Sequence, residues 1–137
     1  MRLPSWGWWV LSAAVVVWLL WMTLRPNQDV ATDLAPLTEP AAERGISTHV
    51  LIDLAGNVIV FMPLGLTLAL ALRDRPAGQR LLLATLGGAG LSLAIELIQT
   101  AIPSRVAALD DWLLNTGGAS LGAIVGCMVG CKPGTGD

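Results

Sequence analysis

The sequence predicts an all-α polytopic membrane protein: a four-transmembrane-helix bundle with its N and C termini in the cytoplasm. Three observations carry that expectation. The chain of 137 residues is 54% hydrophobic and only 13% charged, against roughly 25% charged in an average soluble domain. Four stretches are apolar and free of charge: Leu3–Leu24, Leu54–Leu72, Leu81–Ile95 and Trp112–Cys131. About 20 such residues suffice to cross a bilayer. The Lys and Arg residues between them favour one side. The same composition excludes a soluble globular enzyme, a disordered chain and a small disulfide scaffold. A net charge of −2 without a basic cluster leaves no footing for nucleic acid.

The first span covers residues 1–24. Arg2 followed by an apolar run would also suit a signal peptide, but no small-x-small cleavage site precedes Pro36, so the segment reads as an uncleaved span. Trp6, Trp8 and Trp9 near one end, with Trp18 and Trp21 near the other, are placed like interfacial anchors, and Trp112 reads the same way. An acidic, proline-containing extracytoplasmic loop follows over 25–49, with His49 read as interfacial. The later spans are expected over about 50–72, 81–102 and 112–131, the third stopped by Pro103, and a tail follows over 132–137. The connection Arg73–Arg80 holds three arginines against Asp74, which assigns it to the cytoplasm and sends the 25–49 loop outside. Cys127 and Cys131, four apart on one helix, read as small packing residues rather than a disulfide or a zinc site.

Polar residues interrupt this pattern at one depth. Asp53 and Asn57 are four apart at the outer end of the second span. Glu96 and Gln99 share a face near the outer end of the third. Asp111 and Asn115 repeat the Asp-x-x-x-Asn spacing at the outer end of the fourth, and Arg105 lies in the connection above them. An ionisable group at the bilayer centre costs on the order of 2.5–3.5 kcal/mol on insertion scales, so Glu96 in particular needs a partner, water or a proton. Helix-to-helix hydrogen bonding accounts for single amides, and a helix N-cap accounts for Asp111. Three carboxylates and an arginine gathered at one surface point to a site. Asp111, Asn115, Gly118, Gly122 and Gly126 follow one helical stripe, which turns the polar pair toward a closely packed neighbour. Pro63 with Gly65 predicts a kink in the second span.

Three segments resemble the VanZ-like family of small bacterial membrane proteins. NVIVFMPLG from Asn57 to Gly65 is similar to the family's N-x-x-x-F-x-P-L-G. SLAIELIQ from Ser92 to Gln99 is similar to S-x-x-I-E-x-x-Q, and RVAALDDWLLNTGGASLG from Arg105 to Gly122 to its closing R…D-x-x-x-N-x-x-G-x-x-x-G. Ala108 departs, standing where some members carry an acid. The resemblance marks a VanZ-like core over 50–126. It implies the bacterial cytoplasmic membrane and a cell-envelope role linked to resistance against the glycopeptide teicoplanin.

Three functions stay open at this level. Asp53, Asn57, Glu96, Gln99, Arg105, Asp111 and Asn115 could bind the head group of a lipid-linked wall precursor, Arg105 supplying planar donors for phosphate or carboxylate. The same carboxylates and amide oxygens could hold a hard cation such as Mg²⁺ in a membrane enzyme acting on a phosphorylated lipid. No nucleophile paired with a base and no recognised metal motif specifies a reaction. The polar layer could instead dock a partner subunit of an envelope complex.

Overall fold

The computed structural model describes residues 3–24, 54–101 and 109–130. The expected loop over 25–49, Asp53, Arg105, Cys131 and the tail lie outside the described residues.

The described residues form four helices and no strand. Helix α1 is Ser5–Thr23. Helix α2 begins as a π-helical stretch, Leu54–Ile59, and continues as an α-helix, Val60–Ala71. Helix α3 is Ala77–Gln99 and α4 is Leu109–Val129. By length and composition α1, α3 and α4 can each cross a membrane, while Gly56–Ala71 is a shorter apolar helix.

Prolines set several of these boundaries. Pro4, extended at φ −63° and ψ 160°, opens α1. Pro76, at φ −54° and ψ 145°, opens α3 at Ala77, four residues before the apolar run begins. Arg80 therefore lies inside the helix and is only 3% exposed, rather than standing among the charges of a loop. The C-terminal end of α3 comes earlier than the apolar pattern indicates: Thr100 closes it, its amide bonding the Glu96 carbonyl. Pro63 does not interrupt α2. The helix carries on through it, and the change from π to α winding falls at Ile59, whose carbonyl Pro63 crowds and cannot bond.

The closest packing joins α2 and α4. A Cβ added to Gly118, Gly122 or Gly126 would run into the backbone of Val58, Met62 or Leu66 respectively, and one on Gly65 would run into Ala119. The residue numbers at these meeting points rise together along the two helices, so α2 and α4 are parallel. Helix α3 is antiparallel to α4, since Ser92 meets Asn115, Gly88 meets Ala119 and Arg80 meets Gly126. Helix α1 joins through a cluster of Leu19, Phe61, Leu64 and Ile95. Two side-chain bonds hold its ends, Arg73 donating to the Leu3 carbonyl at 2.9 Å and Gln99 to the Thr23 carbonyl at 2.8 Å. A second core layer is all alanine, Ala69, Ala84 and Ala123.

Burial is inverted relative to a water-soluble protein. Trp6, Trp9, Val17, Trp21, Leu82, Leu86, Leu97, Met128 and Val129 are exposed, while Thr67, Arg80, Ser92, Glu96, Gln99 and Asn115 are buried. Such a surface suits hydrocarbon, where polar groups must find partners inside the protein.

Candidate functional site

Because α2 and α4 are parallel neighbours, their dipoles align, and each helix end carries about half an elementary charge. The end at which both helices start is electropositive and suits anions. Asp110 and Asp111 occupy the first turn of α4 there. Asp111 is the third residue of α4, inside the helix rather than at its cap, because the helix starts at Leu109. Its Oδ1 accepts a hydrogen bond from Asn57 Nδ2 at 2.9 Å. Asn57 lies in the π-wound stretch of α2, so the irregular winding ahead of Pro63 sets the height of this donor.

One turn deeper, Asn115 Nδ2 donates to Ser92 Oγ at 2.9 Å. Ser92 is fully buried and Asn115 is 4% exposed. Asn115 Oδ1 has no hydrogen-bond partner. Among the described residues it is the only buried side-chain nitrogen or oxygen in that state.

Glu96 is 6% exposed and lies one turn beyond Ser92 on the same face of α3. With α3 and α4 antiparallel and Ser92 level with Asn115, Glu96 falls level with Asp111. The structure thus brings Asn57, Glu96 and Asp111 to one level, with Ser92 and Asn115 about 6 Å below. Gln99 is buried but turns to α1, where it satisfies the Thr23 carbonyl, so it does not join this group. Trp112 is not a free interfacial anchor: its indole N–H donates to the Ala89 carbonyl at 3.0 Å and ties α4 to α3. Ser92 was missed as a site residue. Its signal is spacing, since it stands four residues before Glu96 on the stripe that also carries Arg80, Ala84 and Gly88.

Chemically, the two layers offer carboxylate, carboxamide and hydroxyl groups. Ser92 is bonded to an amide, which cannot activate it as a nucleophile as a base would. Among the described residues no three His, Cys, Asp or Glu side chains assemble as a metal-binding group. The arrangement suits recognition through oxygen atoms and amide N–H groups.

An apolar exterior around buried polar side chains, on helices long enough to cross a bilayer, points to a membrane protein. A family comparison makes this specific: the VanZ/LLP1 profile matches residues 6–130, so the chain belongs to the VanZ/LLP1 family. The match takes in α1 as well as the segments from Asn57 onward. No curated protein and no solved structure matches the chain.

Proposed function

We propose that the chain is a four-span protein of the bacterial cytoplasmic membrane, with both termini inside, and that its polar end opens to the external leaflet. There it binds the phosphorylated head group of a lipid-linked cell-wall precursor. The observation that carries this reading is the Asn57–Asp111 bond between α2 and α4, with the buried Glu96 of α3 at the same level, at one end of an otherwise apolar assembly. Packing alone does not call for a buried carboxylate, Glu96, level with the half-buried Asp111, because a carboxylate is costly to remove from water. Arg105, four residues ahead of α4 in sequence, is the residue this reading assigns to the phosphate, since a guanidinium suits such a group. Family membership supports an envelope role connected with VanZ-type glycopeptide resistance, and binding a wall precursor would give that connection a chemical basis.

The test is lipid analysis of material copurified with the wild type and with Glu96→Gln, a substitution that removes the charge and keeps the shape. A polyprenyl phosphate lipid is expected to be enriched with the wild type and reduced at least tenfold with the variant, at equal levels of folded protein. No enriched phosphorylated lipid with either protein would sink the reading.

A further inference from the structure

We propose that Asn115, Glu96 and Asp111 form a divalent-cation site, with Asn115 Oδ1 as its deepest ligand. The unpartnered Oδ1 comes first. A carboxamide oxygen left without a donor in an apolar interior is destabilising, and Asn115 is 4% exposed. Its own N–H is committed to Ser92, which fixes the oxygen on the other side of the amide.

Helical side chains lean toward the N-terminus of their own helix. In α4 that direction carries Asn115 toward the level of Asp111. In antiparallel α3 it carries Glu96 toward the level of Ser92. The two side chains therefore converge between the layers, beneath Asp111, in a space only about one helical turn deep. An amide oxygen and the Glu96 carboxylate meet there, with the Asp111 carboxylate about one turn above, and all three are hard oxygen ligands. That donor set fits Mg²⁺, Mn²⁺ or Ca²⁺ rather than a metal preferring thiolate or imidazole. A divalent ion supplies the positive partner that Oδ1 lacks.

A six-coordinate ion held this way keeps positions for water or for a phosphate oxygen. Such an ion would let a site walled by acids receive an anionic head group. That last step rests on the proposed function above, whereas the cation site does not.

The test uses the purified full-length protein in phosphate-free, uncharged detergent, titrated with Mn²⁺ alone and followed by electron paramagnetic resonance. One saturable Mn²⁺ site displaced by Mg²⁺ is expected. Glu96→Gln and Asp111→Asn should each weaken it at least tenfold. Asn115→Asp should tighten it severalfold by turning the neutral oxygen into a third carboxylate. The last variant also tests the amide's orientation, because an N–H aimed into the site would make aspartate no better a ligand. Thermal unfolding of each variant identifies the folded ones, and Asn115→Asp with Asp111→Asn decides the matter if Glu96→Gln fails to fold. The proposal is overturned if the folded wild type shows no saturable Mn²⁺ binding, if the folded variants bind as the wild type does, or if Asn115→Asp fails to bind more tightly. Mn²⁺ binding with no copurified phosphorylated lipid would overturn the head-group reading alone. Phosphorylated lipid retained by protein that binds no Mn²⁺ would overturn the cation site alone.

Discussion

Gly122→Ala is expected to destabilise the protein by about 3 kcal/mol or more, the upper part of the range for overpacked interiors, although it adds a single methyl group. The added Cβ would run into the Met62 carbonyl, with the carbonyl carbon at 2.7 Å and the Leu66 nitrogen at 3.0 Å. These are backbone atoms of a hydrogen-bonded helix, so no rotamer change relieves the clash. The α2 and α4 backbones must separate, and the separation propagates to Gly118 and Gly65, which meet Val58 and Ala119 equally closely. It also pulls Asn57 away from Asp111, since their 2.9 Å bond bridges the same two helices. Gly117 is the internal control. It neighbours Gly118 in sequence, but nothing lies within 4 Å of its Cβ position, so Gly117→Ala should leave stability unchanged or slightly raised. Thermal unfolding in detergent, with size-exclusion profiles of the heated samples, reads both variants. Equal melting temperatures would show that α2 and α4 do not pack through this stripe.

The contrast between Gly117 and Gly118 shows what could be read from the sequence. Spacings of three and four through Asp111, Asn115, Gly118, Gly122 and Gly126 specify one face, because the helical period is fixed, and small residues along it admit a neighbouring backbone. The all-helical class was legible for a similar reason, since long charge-free runs leave few alternatives. Partner choice was less legible. Gln99 shares a face with Glu96 by spacing alone, yet a helix that touches two neighbours divides that face between them. At the last turn of α3 the neighbour is a C-terminal carbonyl of α1, that of Thr23. Ser92 sits in an apolar run where a hydroxyl looks like filler, and only the antiparallel register with α4 shows that it meets Asn115. Pro63 predicts a kink in α2, whereas what the structure shows is wider winding upstream over Leu54–Ile59, which no propensity locates. Arg80 was counted with the loop because the apolar run starts at Leu81, whereas Pro76 starts the helix a turn earlier.

That buried arginine leads to the second large effect. Arg80→Met, which keeps an apolar stem of similar reach and removes every donor, is expected to cost about 3 kcal/mol or more. Arg80 Nε donates to the Ala69 carbonyl at 2.9 Å and Nη2 to the Gly126 carbonyl at 2.8 Å. Hydrogen bonds from a charged donor contribute about 1.5–3 kcal/mol each. Ala69 and Gly126 lie in the last turns of α2 and α4, the parallel pair, whose negative dipole ends stand side by side and repel. One guanidinium between two half-charges offsets both, much as Asp110 and Asp111 suit the positive ends across the assembly. Lysine separates charge from geometry. It keeps the cation but has no planar fork to reach two carbonyls at once, so Arg80→Lys should recover only part of the loss. Recovery to the full wild-type value would assign the effect to charge alone. Arg75 is exposed, and its side chain makes no hydrogen bond or ion pair to a described residue, so Arg75→Met should leave the unfolding temperature unchanged. If Arg80→Met unfolds with the wild type as well, the two carbonyls are satisfied in some other way. Parallel packing of α2 and α4 would then rest on the glycine seam alone.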